Sequence, residues 1–276
     1  MLYSPTKPHH PAASNERIPN NSMPDQTLST EATTHTTRRS DPMAYYFQDI
    51  FLIGNPEATR LYLIRHGQAG NNLGELDTAS ADLPLTDVGR EQARRLGERM
   101  ASYGVDAIYA SPLLRARETA QAIADRAGLD VLVVHDLREV DSAVEGNIRG
   151  ARSDAVSGIS ALAELSDDEI KARIEANPTW DSFPQAEPSL HARNRIRDAM
   201  DEIIARNPGR RVAVVCHAGV IQMYVAMVLG IRTDFPFYPF NASITSIRAL
   251  NERRALWRLN DISHLEGMPV GLGGIS

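Results

Sequence analysis

Cysteine is nearly absent from this sequence: Cys216 is the single one in 276 residues, so no disulfide can form within the chain. Long apolar runs are missing as well. The best candidates, VAVVC (212–216) and YVAMVLGI (224–231), fall far short of the ~18 residues a membrane-spanning helix needs. The N-terminus has no compact apolar core of the signal-peptide kind, and its Glu16, Asp25, Glu31 and Asp41 with few arginines do not read as a mitochondrial leader. These absences predict a soluble protein of a reducing compartment, the cytoplasm, with no membrane partner. An excess of basic charge is lacking too. The net charge is −6 and the isoelectric point near 5.8, so no nucleic-acid partner is expected and any basic site must be local. The chain has no Walker loop, no His-Glu-x-x-His helix and no Cys-x-x-Cys pair, which leaves no metal site and no cofactor to expect. A cysteine-phosphatase loop needs an arginine six residues after its cysteine, and Gln222 stands there, so Cys216 reads as a packed strand residue.

What is there is ordinary globular material, 42 % hydrophobic and 23 % charged, enough for one large domain. Residues 1–42 are the exception. They are rich in Pro, Ser, Thr, Asn and His without periodicity, and read as a disordered tail, with Met43 as an alternative start. Residues 43–59 form a lead-in. From residue 60 to about 265 short apolar runs alternate with helical periods, and 266–276 is a weak tail. RLYLI (60–64), DAIYA (106–110), VLVV (131–134) and RVAVVC (211–216) read as strands. Thr86 caps a helix carrying Val88, Ala93, Leu96 and Met100 on one face. Ser111 and Pro112 predict the start of another that runs to about Arg126. An insertion, about 140–187, is irregular except for a helix near Asp167–Ala176. Pro188 opens a helix to the Asn207, Pro208, Gly209 turn, another follows over 219–229, and SITSIRAL and ALWRLN form a hairpin joined at NERR. The alternation predicts an α/β fold: three layers, with a mostly parallel central sheet and helices on both faces.

In such sheets ligands sit beyond the carboxyl ends of the strands. The polar residues gather there. The first strand ends at Arg65 and His66, the second at Ser111 before a helix carrying Arg115, and RVAVVC at His217. VLVV is followed by DLREVD, which offers Glu139 with Asp136, Asp141 and Glu145 as rivals. Taken singly, each has an ordinary structural reading, since a histidine at a strand end is more often a hydrogen-bonded fixture than a catalyst. Their coincidence at one edge is what points to chemistry.

The segments LIRHGQAGNN, LPLTDVGREQA, ASPLLRARETA, DLREVD and VVCHAGVI, in that order, resemble the histidine phosphatase superfamily, the phosphoglycerate mutase-like family. The resemblance covers roughly residues 60–265. It implies that His66 is the nucleophile that becomes a phosphohistidine, that Arg65, Arg115 and His217 hold the phosphoryl group with Asn72 at the rim, and that Glu139 is the proton donor. Electrostatics agrees with those roles. Clustered cations suit a phosphoryl group, whose transfer is largely positioning and charge stabilisation. They should also depress the pKa of His66 and keep the ring nucleophilic, while the bound phosphate is expected to raise that of Glu139. Gly67 is expected to let a phosphate approach the backbone.

The chain departs from the resemblance around the substrate. VDSAVEGN lacks the aromatic residue relatives carry after the acid, and FPQAEPS keeps Glu187 but loses two glycines. The resemblance thus implies a phosphoric monoester hydrolase, a histidine acid-type phosphatase working without metal on a small-molecule phosphate ester. Two alternatives stand beside it. A phosphoglycerate mutase would need more basic residues in the insertion than Arg152, Lys171 and Arg173; a non-catalytic adaptor would usually have lost the nucleophile or an arginine. A homo-oligomer stays open, because FPFYPF (235–240) fits either a core or an interface.

Overall fold

The computed structural model describes residues 42–70, 82–140, 166–183 and 186–268. Asn72 and most of the insertion, including Asp141, Glu145 and Arg152, lie outside them, as do the tails 1–41 and 269–276.

RVAVVC forms the buried heart of the sheet. Its continuous apolar run becomes β4 (Arg211–Cys216), with both faces covered as a central parallel strand requires. On one side β4 pairs in parallel with β1 (Thr59–Arg65); on the other it pairs in parallel with β2 (Ala107–Ala110), which pairs in parallel with β3 (Val131–Val133). The C-terminal hairpin, β5 (Ile244–Leu250) and β6 (Arg253–Asp261), adds two antiparallel strands beside β1. The order is β3-β2-β4-β1-β5-β6, a mixed sheet whose parallel part holds the expected strands. The hairpin turn is tighter than NERR suggested. Asn251 takes a positive φ of 52° and the second strand starts at Arg253.

Strand alternation divides the core in two. Leu61, Leu63, Val212 and Val214 face α5 (Ser189–Ala205) and α6 (Ala218–Leu229). Ile64, Ala213 and Val215 face α2 (Asp87–Tyr103) and α3 (Leu114–Ala127). The three-layer arrangement is therefore as expected. Outside these layers are α1 (Pro42–Ile50), which the lead-in reading did not foresee, and α4 (Asp167–Ala176), the expected helix of the insertion, closed at its start by a Ser166/Glu169 capping box. No helix among the described residues is long and apolar enough to cross a membrane.

Local signals set the helix boundaries with one exception. Thr86 caps α2 as expected, its hydroxyl accepting from the Gly89 amide at 3.0 Å. The next helix starts at Leu114, two residues later than Ser111 and Pro112 suggest. The reason is competition for side chains. The Ser111 hydroxyl is shared between His217 and the Leu113 amide, from which it accepts at 3.3 Å, and the Asp82 carboxylate, far away in sequence, accepts from the Leu114 amide at 2.5 Å.

Candidate active site

The register Arg65↔Cys216 brings the ends of β1 and β4 level, so the residues that follow them, His66 and His217, lie side by side with ring centroids 5.1 Å apart. The His66 amide extends the ladder by donating to the Cys216 carbonyl at 3.0 Å. β2 ends level with them at Ser111, and the first turn of α3 delivers Arg115.

The His66 ring is 3 % exposed and its orientation is fixed at both nitrogens. Nδ1 lies 2.7 Å from the Gly67 carbonyl oxygen, which can only accept, so Nδ1 carries the proton. The lone pair is then on Nε2, and the Arg115 Nε–H donates to it at 3.2 Å. Burial pushes the ring well below the ordinary histidine pKa, and the Arg115 and Arg65 guanidinium groups push it further, against a smaller opposing effect of the Gly67 carbonyl. His66 is thus a neutral base with its free electron pair aimed at the cation pocket.

His217 is fully buried, with Nε2 2.7 Å from Ser111 Oγ and Nδ1 without a hydrogen-bond partner among the described residues. Burial, then Arg115, His66 and Arg65, hold it well below the usual value too. Arg65 is 5 % exposed. Its Nη1 donates to Tyr238 Oη at 2.9 Å and to the Pro239 carbonyl at 2.8 Å, and its Cζ lies 5.0 Å from the Tyr238 ring centroid. Neither a carboxylate for its charge nor a partner for its Nε exists among the described residues. A buried cation without a counter-ion is costly to hold. An anionic ligand beside it would offset that cost.

Glu139 reaches the same end of the fold through the short turn His135–Leu137 after β3. Its Oε1 accepts from the Val140 amide at 2.9 Å and its Oε2 from the Gly219 amide at 3.3 Å, two residues past His217 at the start of α6. A Cβ at Gly219 would stand 2.7 Å from Glu139 Oε1, so glycine is what admits the carboxylate here. Of its rivals, Asp136 is turned outward to Arg138.

The supports of the site are what sequence reasoning missed. Asn241 Nδ2 donates to the His66 carbonyl at 3.1 Å. Thr119 Oγ1 accepts from the Gly67 amide at 3.0 Å and donates to the Arg115 carbonyl at 2.7 Å, tying the loop of His66 to the helix of Arg115. Arg195 donates from Nη1 to the Asp136 and Arg138 carbonyls and from Nη2 to that of Glu139, and is held by both oxygens of buried Glu187 at 2.8 and 2.6 Å. FPFYPF is built into this end of the fold: Phe235 packs on Trp180, and Tyr238 on Arg65. Gly67 also meets a packing need within the fold. A Cβ there would stand 2.6 Å from the Gly89 carbonyl oxygen, so the close neighbour is the start of α2. Cys216 is buried with its thiol pKa pushed up by burial, the inert core residue expected.

The family model of the histidine phosphatase superfamily (branch 1) matches residues 61–262. The chain belongs to this superfamily. Among histidine phosphatase relatives, it is 28 % identical over 221 residues to a protein of Erwinia tasmaniensis named as phosphoglycerate mutase GpmB, covering 75 % of this chain and 95 % of that one. It is 28 % identical over 207 residues to a protein of Hydrogenobacter thermophilus named as phosphoserine phosphatase 2, covering 74 % and 97 %. A solved mycobacterial glucosyl-3-phosphoglycerate phosphatase superposes with a TM-score of 0.58 at 28 % identity, covering 73 % of this chain and 98 % of its own.

Proposed function

We propose that the chain is a metal-independent phosphomonoesterase that works in the cytoplasm on a small-molecule phosphate ester through a phosphohistidine on His66. The observation that carries this reading is the fixed tautomer of His66: Nδ1–H held by the Gly67 carbonyl, Nε2 unprotonated beside Arg115. In the first step Nε2 attacks phosphorus, the bond from phosphorus to the ester oxygen breaks, and Glu139 gives that oxygen its proton, releasing the alcohol. In the second, Glu139 takes a proton from water, whose oxygen attacks the phosphohistidine; the N–P bond breaks, releasing phosphate and restoring His66. Arg65, Arg115 and His217 hold the phosphoryl oxygens throughout, joined by Asn72. Positioned donors of this kind stabilise charge as it develops, without reorganisation during the reaction.

The names of the relatives divide between phosphatase and mutase, and the same phosphohistidine serves both. What supports the phosphatase is the insertion. In its described part the basic residues are two, Lys171, exposed and 3.9 Å from Glu175, and exposed Arg173, few for gripping a second anionic group. One assay separates the readings. The protein is incubated in EDTA with p-nitrophenyl phosphate, and separately with 3-phosphoglycerate and a bisphosphoglycerate primer. Release of phosphate is expected; isomerisation without release would establish the mutase, and silence over a broad panel of esters the adaptor.

A further inference from the structure

At the opposite end of β1, about 20 Å along the strand from His66, three arginines stand in one row. Arg248 of β5 is the register partner of Arg60 of β1, and Arg60 is the register partner of Arg211 of β4. Arg60 and Arg248 line the same hollow as Tyr62. Like charges directly opposite on neighbouring strands destabilise a sheet. Arg211 is answered by Asp106 at 3.2 Å. Arg60 and Arg248 have no carboxylate partner among the described residues. Arg248 donates only to the Leu52 carbonyl at 3.3 Å and lies over the Trp257 ring, 3.9 Å from its centroid.

The two unanswered guanidinium groups open on a hollow of about 200 Å³ on the sheet face next to the end of α2. Tyr62 and Tyr103, with ring centroids 5.2 Å apart, form one wall, and half-exposed Trp257 another. Ser246 lies between them. Arg258 also lines the space, but Asp261 neutralises it at 2.8 Å. A monocarboxylate would leave one cation unanswered. A phosphate-type dianion brings two charges and acceptor oxygens suited to two guanidinium forks.

We propose that this hollow is a second anion site, separate from His66, which binds a soluble phosphate-type dianion between Arg60 and Arg248 with Trp257 against its organic part. The chain has two tryptophans, so the indole N–H region of an NMR spectrum carries two signals, and Trp257→Phe assigns the relevant one. Titration with inorganic phosphate should move the Trp257 signal saturably. In Arg60→Gln, which removes an exposed side chain with no partner to lose, the apparent affinity read from that signal should fall about ten-fold or more, since bonds between charged groups carry at least that much, while turnover at His66 is unchanged. Arg248→Gln should behave likewise. A Trp257 signal indifferent to phosphate would overturn the proposal, as would an equal response in Arg60→Gln. So would a response to phosphatidylglycerol vesicles alone, which would make the patch a lipid surface.

Discussion

His66 and His217 are neutral bases in a pocket prepared for an anion, and this makes the fold sensitive to acid. Both rings are held well below the ordinary value when folded, whereas the unfolded rings titrate near ~6.5. Below that value the unfolded chain binds protons that the folded one refuses. Stability should therefore be unaffected by these rings above about pH 7 and fall as the pH drops, by up to roughly 1.4 kcal/mol per pH unit for each ring. Urea unfolding between pH 7 and 5.5 measures the slope, and His66→Asn should make it shallower; equal slopes would contradict the assignment. The residues that meet at this end of the sheet were legible because their motifs are local: Arg65 and His66 are adjacent, and His217 ends an unmistakable strand. Their supports were not. Thr119 and Asn241 act on backbone groups 52 and 175 residues away, and nothing in the sequence near either partner marks the pairing.

The Glu139 carboxylate is positioned at the scale of elements. Arg195 on α5 gathers the carbonyls of the loop that carries Glu139, and Glu187 fixes Arg195 in turn. Arg195→Met should lower kcat by about ten- to a hundred-fold with little change in KM, because a misplaced proton donor costs the reaction more than the binding. A matching rise in KM would instead place Arg195 in substrate binding. Glu187→Leu strands a buried guanidinium and should cost about 3–5 kcal/mol in unfolding experiments. The double variant Glu187→Leu/Arg195→Met should lose less than the sum of the two, as coupled partners do. Gly89 ties a third element to the site. A Cβ there would run into the Gln68 carbonyl oxygen, so Gly89→Ala should both destabilise the fold and slow turnover by shifting the loop that holds His66. Most of these elements could be read from apolar period and caps. The start of α3 could not, because its amide is satisfied by Asp82 across a gap of 32 residues rather than by the nearby serine.

For the whole molecule, the alternation of strands and helices carried the three-layer plan, and the end of every parallel strand carried the location of the site. What it did not carry is the lead-in. MAYYFQDI folds as α1, attached through Arg253 to Asp49 and through Arg248 to Leu52, with Tyr45, Tyr46, Phe47 and Ile50 exposed. Met43, Tyr46, Phe47 and Ile50 do recur at helical spacing, but eight residues are a shorter window than period needs to tell a helix from a lead-in. Every described site residue lies between Arg65 and Asn241, inside the family match over residues 61–262. A chain beginning at Met43 should therefore keep the full-length turnover, measured with the same ester under the same conditions.

The phosphohistidine is the step on which the functional reading rests. Mixing the protein with a good ester substrate in EDTA, quenching in alkali within the first turnover and mapping the phosphoryl group by mass spectrometry and phosphorus NMR tests it most directly. One phosphoryl group is expected, on Nε2 of His66, absent from His66→Asn along with turnover. Phosphoryl transfer that proceeds in His66→Asn, or a label found on any other residue, would contradict it.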